Sequence, residues 1–211
     1  MWCVPEITGE YITKMEDVLR LYARPHSPKA PVVCFDERPV QLHDSARSGA
    51  AARPGRPGRL DYEYIRRGTA NVFCIIEPAT GKRMTHATKN RTGRAFAQAL
   101  RKVSRRYPRA KRIHLVVDNL STHSRKSLTD AFGTATGTAL WRRFKFHYTP
   151  KHASWLNAAE MEAGLVSRER LGKRRLGTFA ILKREVSAWT RGARTLGCRR
   201  VGVRLGDSRR Q

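Results

Sequence analysis

The chain has 211 residues, with 43 lysines and arginines against 17 aspartates and glutamates, so its formal charge at pH 7 is +26. This excess excludes an ordinary acidic enzyme and favours a polyanionic partner, above all nucleic acid. No apolar run reaches the roughly 18 residues that span a bilayer, so no membrane partner is expected. A hydrophobic fraction of 40% is enough for one folded domain rather than a disordered basic tail.

Apolar residues at spacings of three and four predict a short amphipathic helix over residues 11–23, which ends at the prolines that follow. The apolar run 31–36 predicts a buried strand with the carboxylate of Asp36 at its tip. Residues 44–60 are rich in glycine, proline and arginine, and this composition forms neither a long helix nor a central strand. We therefore expect a mobile basic loop in this segment.

The rest of the chain alternates between strand-like and helix-like patterns. A second apolar strand, 113–118, again ends in an acid, Asp118. The other predicted elements are a hairpin of strands 71–77 and 83–88, helices over 91–107, 124–132 and 154–171, and a strand over 145–148. This order predicts an α/β fold with a mixed sheet flanked by helices.

Three acidic residues lie at the ends of these elements: Asp36, Asp118 and Glu160, the last in the first turns of the final helix. Carboxylate oxygens suit hard divalent cations, and two such ions can hold the attacking and leaving oxygens of a phosphodiester in line. Taken singly, each acid has a plainer explanation, namely a turn residue, an Asx turn or a solvated helical glutamate. Helical spacing does not decide between Glu160 and Glu162, because Glu162 lies nearer the middle of the shared face.

Three blocks of sequence carry a family resemblance. They are Val-Val-Cys-Phe-Asp-Glu at 32–37, Val-Val-Asp-Asn-Leu-Ser-Thr-His at 116–123, and Tyr-Thr-Pro-Lys-His-Ala-Ser-Trp-Leu-Asn-Ala-Ala-Glu at 148–160. In this order, over roughly residues 2–190, the chain resembles the DDE transposases of bacterial insertion sequences, in the branch related to the mariner elements. Both the Asp-Asn-x-x-x-His and the Pro-x-x-x-x-Leu-Asn-x-x-Glu motifs of that family are present.

The resemblance implies a ribonuclease-H-like fold in which Asp36, Asp118 and Glu160 are catalytic and bind two Mg²⁺ ions, with Mn²⁺ as a substitute. The match of residues 156–160 to Leu-Asn-x-x-Glu selects Glu160 over Glu162. The implied chemistry is hydrolysis of a phosphodiester at transposon ends, followed by attack of the freed 3′-hydroxyl on target DNA. Transposon ends and target DNA are therefore the expected partners, and a homodimer is compatible with this chemistry.

Residues beside the second and third acids are candidates for supporting or DNA-binding roles. Those after Asp118 could orient it or touch a phosphate, or could only cap and pack the next helix. Those before Glu160 could contact the DNA backbone or lie in a solvated loop, and Ser154 is the predicted N-cap of the last helix. The candidates are Asn119, His123, Lys151, His152 and Asn157.

The basic loop contains Arg53, Arg56 and Arg59 in a Pro-Gly-Arg repeat. This repeat partly resembles the Gly-Arg-Pro core of an AT-hook, which inserts into the minor groove. The flanking arginine pattern of an AT-hook is incomplete, so a loop that binds phosphates without sequence preference is favoured.

Both ends of the chain depart from the family. Family members carry a helix-turn-helix region before the catalytic domain. We predict that residues 1–30 form a helix and a linker, the remnant of the segment that follows this region, which is missing here, and that residues 31–190 form the catalytic domain. We expect such a core not to recognise transposon ends unaided. We predict that residues 191–211 are a basic tail translated in a shifted reading frame. Codons that encode residues 199–204 can, when read one base later, encode the family's Val-Glu-Trp-x-Phe, and codons for residues 207–210 can likewise encode its Thr-Ala-Asp-Ala.

Cysteine usage and the first residues bear on the compartment. The four cysteines, at 3, 34, 74 and 198, form no Cys-x-x-Cys pair and are expected to be reduced thiols. The N-terminus lacks the basic and apolar regions of a signal peptide, so a cytoplasmic location is expected.

Two other functions remain open at this point: a basic nucleic-acid-binding protein without catalysis, and a ribonuclease-H-like nuclease. An inactive, truncated remnant of a transposase is a further alternative.

Overall fold

A computed structural model describes residues 7–59, 62–172 and 174–195. Its centre is a five-stranded sheet with the order β3-β2-β1-β4-β5. The strands are β1 (Val32–Ser45), β2 (Tyr64–Glu77), β3 (Lys82–Thr88), β4 (Ile113–Val117) and β5 (Phe144–Tyr148). β2 is antiparallel to both of its neighbours, whereas β1, β4 and β5 are parallel. The predicted mixed sheet is confirmed, including the hairpin.

β1 is much longer than the sequence predicted. It does not end at Asp36, because β2 pairs with it in register from Cys34 to Ser45, with an irregularity between Gln41 and His43. The predicted loop 44–60 therefore begins too early, since its first two residues belong to β1. Beyond the strand, the bridges Ala50↔Arg59 and Arg53↔Arg56 continue the antiparallel arm to a tight turn. We call residues 38–59 and 62–67 the β1–β2 arm.

In the described residues, six α-helices cover the two faces of the sheet, and the sequence predicted neither α4 nor α6. The helices are α1 (Gly9–Tyr22), α2 (Gly93–Arg106), α3 (Arg125–Phe132), α4 (Thr134–Arg142), α5 (Ala158–Leu165) and α6 (Phe179–Thr195). In the described part of the chain, no helix is long and apolar enough to cross a membrane.

The alternation of side chains along β2 divides the core into two layers. Phe73 and Ile75 pack with α2, α3 and α4, while Val72 and Cys74 pack with α5 and α6 on the opposite face. α4 approaches α3 closely because it carries Gly137, where an added Cβ would lie 2.6 Å from backbone atoms of α3. The sheet is thus buried on both faces and rigidly positions the residues at its edge.

α1 packs on the same face as α5. Its Val18 and Leu21 are buried in a cluster with Cys34 of β1 and Val116 of β4. Oδ2 of Asp17 lies 2.6 Å from Nδ1 of His147 in β5, which ties the helix to the sheet.

The predicted helix over 154–171 is divided into three parts. A 3₁₀ turn at Ser154–Leu156 precedes α5, and a π-helical turn at Val166–Leu171 follows it. The predicted N-cap was wrong: Ser154 makes no capping hydrogen bond, and Asn157 caps α5 instead. The physical reason is the extended backbone of Asn157 (φ −87°, ψ 107°), which interrupts the helix before α5 begins.

Of the four cysteines, Cys34 and Cys74 are buried free thiols, as expected. Cys3, Cys198 and residues 196–211 of the proposed frameshifted tail lie outside the described residues.

Candidate active site

Two of the three candidate acids are positioned by neighbouring parallel strands. β1 pairs with β4 only over Val32 to Cys34, so the β4 side of β1 is open where Asp36 follows. Asp118 comes directly after the last residue of β4. Because parallel strands end at the same edge of a sheet, both carboxylates lie at this edge.

The third acid, Glu160, lies in the first turn of α5 and is exposed. Asn157 fixes this helix with both ends of its side-chain amide. Its Oδ1 accepts a hydrogen bond from the N–H of Ala159 (3.2 Å), and its Nδ2 donates to the carbonyl of Phe35 (2.8 Å). Asn157 is only 2% exposed, so its observed contacts are structural. It joins the helix of Glu160 to the strand of Asp36, one residue before that acid.

Asp36 is affected by the charges of the other two candidate carboxylates. Burial and, to a smaller extent, the negative charges of Asp118, Glu160 and Glu37 together raise the pKa of Asp36 to about 6, against a hydrogen bond from the Glu37 N–H. That N–H donates to Oδ1 of Asp36 at 2.7 Å. Like charges that lie close together at a half-buried position raise the free energy of the folded state unless a cation neutralises them.

The donor set fits a hard divalent cation in its chemistry. All three candidates are carboxylates, which are the preferred protein ligands of Mg²⁺ and Mn²⁺. Oδ1 of Asp118 is buried and makes no hydrogen bond of normal geometry, and its close neighbour is Nδ1 of His123, 3.0 Å away. Within the described residues, however, no group of three or more His, Cys, Asp or Glu side chains is close enough to hold a metal ion as it stands. The acids are thus brought to one edge without forming a closed ligand shell.

His123 links the second acid to an acid that sequence reasoning missed, Glu37. Its Nδ1 lies 3.0 Å from the carbonyl oxygen of Asp118 and 3.0 Å from that residue's Oδ1, and its Nε2 lies 3.1 Å from Oε1 of Glu37. The imidazole is fully buried, and the ring of Phe96 lies against it at a tilt of 32°, with 4.5 Å between the ring centroids. His123 therefore contacts Asp118 directly, rather than only packing the next helix.

The ring of His123 carries a positive charge at neutral pH. Burial alone would lower its pKa, but its contacts with Asp118 and Glu37 outweigh burial and raise that pKa to about 9. A buried imidazolium between two carboxylates fixes the orientation of both. In the sequence, the feature that could have drawn attention to Glu37 was its position directly after Asp36. Only the fold could show that its side chain turns towards His123.

Glu162, the alternative third acid, has a different environment from Glu160. It is 1% exposed and accepts a hydrogen bond from Nε1 of Trp189 (2.6 Å). Nε of Arg83 lies 3.5 Å from its other oxygen. Glu162 therefore anchors α5 to α6, and Glu160 is the glutamate of this helix whose charge reaches Asp36.

The other predicted site residues divide into near and distant groups. Asn119 follows Asp118 directly, and both Lys151 and His152 lie in the turn before α5; all three are exposed. His152 adopts a positive φ of 63° in this turn.

The loop arginines are exposed and lie at the tip of the β1–β2 arm, so they are not brought to the acids; they are Arg53, Arg56 and Arg59. At about 3.3 Å per residue, even the end of β1 lies roughly 30 Å along the strand from Asp36.

Comparisons with known proteins agree with this architecture. The model of the DDE superfamily endonuclease family matches residues 31–183, and the chain belongs to this family. No match was found among curated protein sequences.

Solved structures of the Mos1 mariner transposase share the fold. The paired-end complex with Mn is 16% identical, with a TM-score of 0.59 over 91% of this chain and 58% of that one. The Mos1 strand transfer complex is also 16% identical, with a TM-score of 0.58 over 93% of this chain. The present chain thus spans about three fifths of the Mos1 chains it matches. The expected ribonuclease-H-like fold is confirmed.

Proposed function

We propose that the chain is a transposase catalytic domain that cleaves DNA strands at the ends of a bacterial insertion sequence and transfers the freed ends to target DNA. One observation carries the proposal: Asp36 and Asp118 lie at the same edge of the sheet, and Glu160 is near enough for its charge, together with burial and the charge of Asp118, to raise the pKa of Asp36. A family of DDE endonucleases provides the context for this cluster.

The three carboxylates would hold two Mg²⁺ ions, or Mn²⁺ in their place. Bound there, the ions would activate the attacking oxygen and stabilise the leaving oxygen of the phosphodiester. The protein's own contribution is orientation. His123 holds Asp118 through its side-chain and backbone oxygens, and Asn157 holds the helix of Glu160 against β1.

Exposed polar side chains next to the acids support DNA as the substrate. Lys151 and His152 lie in the turn before α5 and Asn119 follows Asp118, so each is placed to contact the phosphates that flank a bound scissile bond. The arm arginines would contact the backbone farther along the duplex. A homodimer, with one copy at each transposon end, and a cytoplasmic location belong to the same proposal.

The proposal is tested by nicking of a supercoiled plasmid that carries the sequences flanking the gene. We expect nicking with Mg²⁺ or Mn²⁺, none with EDTA, and none with Asp36→Asn or Asp118→Asn. Asp130→Asn is the matched control, because it removes an exposed acid of α3 that is paired with Lys126. Undiminished nicking by Asp118→Asn would overturn the proposal.

Two other results would favour the competing functions. DNA binding without cleavage under any of these conditions would indicate a non-catalytic nucleic-acid-binding protein. Preferential cutting of an RNA–DNA hybrid would indicate a ribonuclease-H-like nuclease.

A further inference from the structure

A cationic groove lies on the outer edge of the sheet, away from the three acids. It is a cavity of about 310 Å³ between β3, the start of α2 and the start of α6. Its polar and charged lining includes His86, Lys89, Arg94 and Lys183. We call this cavity the edge groove.

Positive charges are gathered at the edge groove. Nζ of Lys102 lies 2.9 and 3.0 Å from the two ring nitrogens of His86. Burial, with the charges of Lys102 and Lys183, lowers the pKa of His86 to about 4, so the ring is neutral at pH 7. Burial and Lys183 also lower the pKa of Lys102.

No carboxylate in the described part of the chain is paired with these cations. The ion pairs of the described residues involve neither the three lining cations, Lys89, Arg94 and Lys183, nor Lys102, which lies against the lining residue His86. Such a cluster repels itself, and an anion in the groove would relieve that repulsion.

The free edge of β3 adds backbone donors to the same place. The N–H of Thr85 is directed away from β2 and donates to Oγ1 of Thr190 in α6 at 2.9 Å. In an antiparallel strand the N–H groups of alternate residues point to the same side. The N–H of Ala87, which lines the groove, therefore also faces outward.

The position of the groove relates it to the acids. His86 is in register with Phe73 of β2, which is in register with Glu37 of β1. Two strand spacings of about 4.8 Å place the backbone of His86 roughly 10 Å from that of Glu37, next to Asp36. The groove and the acids are therefore two strands apart in the same sheet.

We infer that the edge groove binds a phosphate group of the DNA backbone, outside the catalytic acids, through Lys102, Lys183 and the neighbouring cations. The choice of DNA over free phosphate rests on the proposed function. The binding of a phosphate group rests on the groove alone.

The test compares charge-matched double variants of the whole chain by fluorescence anisotropy with a labelled duplex, in EDTA and across a salt series. Lys102→Gln with Lys183→Gln removes two groove charges. Lys111→Gln with Lys145→Gln removes two exposed lysines elsewhere. We expect the groove variant to bind at least about tenfold more weakly at 0.1 M salt, and the slope of log K against log salt to fall by about 2.

Two further measurements test whether charge is responsible and whether the bound phosphate belongs to DNA or is free. Lys102→Arg with Lys183→Arg should restore affinity, and inorganic phosphate should shift the NMR signal of the Ala87 amide saturably in the parent protein. If phosphate shifts the Ala87 signal saturably but the groove variant binds DNA as tightly as the parent protein, the groove is a site for free phosphate. That result would overturn the assignment to DNA. Equal behaviour of the groove and control variants, with no phosphate-induced shift, would overturn the whole inference. Binding is measured without metal, so a failure of cleavage would count against the proposed function only.

Discussion

Replacing a proposed catalytic acid should make this protein more stable. In the native state the pKa of Asp36 is raised from 3.8 to about 6, first by burial and then by neighbouring carboxylates. Because the raised pKa belongs to the folded state, ionised Asp36 destabilises the fold fully above about pH 6 and not at all below about pH 3.8. At about 1.4 kcal/mol for each tenfold change in proton affinity, the effect reaches at most about 3 kcal/mol.

The substitution Asp36→Asn removes this charge and keeps an oxygen that can accept the Glu37 N–H. Urea unfolding at pH 7 should therefore show the variant more stable by about 1–3 kcal/mol. The difference should shrink towards pH 4, and also on addition of Mg²⁺, which would stabilise the parent protein alone. Asp130→Asn should change stability by less than about 0.5 kcal/mol. An Asp36→Asn variant that is no more stable than its parent at pH 7 would refute the reasoning.

Four further predictions concern His123, Asn157 and the reading frame of the gene. His123→Phe should lower the free energy of unfolding by about 3–5 kcal/mol, because it leaves the Glu37 carboxylate buried without its partner; equal stability in urea would contradict the ion pair. In the parent protein, the stabilisation from His123 is present below about pH 6.5 and is lost as the pH rises through about 9, which a pH series of unfolding curves would detect. Asn157→Ala should cost about 2–3 kcal/mol, because the cap of α5 and the bond to the Phe35 carbonyl are both lost, whereas an unchanged midpoint would exclude this anchoring. The gene's codons for residues 199–210 should spell the family ending one base later, and any other reading rejects the frameshift.

The sequence predicted the buried part of each strand because these parts are short apolar runs bounded by breakers, whereas β2 begins at Tyr64, well before the predicted residue 71. β4 and the β2–β3 hairpin were found in this way. The length of β1 could not be predicted from local composition, because its second half is held by cross-strand pairing with β2 and not by burial. α4 was missed because its glycine and threonines are weak helix formers, and packing against α3 decides its structure.

The candidate site shows a similar division. Adjacency to strand ends and the family motifs pointed to Asp36, Asp118 and Glu160, but spacing alone did not separate Glu160 from Glu162. The fold distinguishes their environments through Trp189 and Arg83, which lie far from Glu162 in sequence. The contact between His123 and Glu37 also joins residues 86 positions apart, so only the folded chain reveals it.

The two glutamates of α5 provide the most direct test of the central claim, because they are two residues apart and the same substitution removes the same charge from each. The measurement is the rate of Mg²⁺-dependent nicking by Glu160→Gln and Glu162→Gln, each first shown to be folded by its thermal unfolding. We expect Glu160→Gln to lose at least about 100-fold in rate, as for loss of a metal ligand, and Glu162→Gln to stay within about tenfold of the parent protein. Equal rates for the two variants, or a larger loss for Glu162→Gln, would contradict the assignment of Asp36, Asp118 and Glu160 as the catalytic acids.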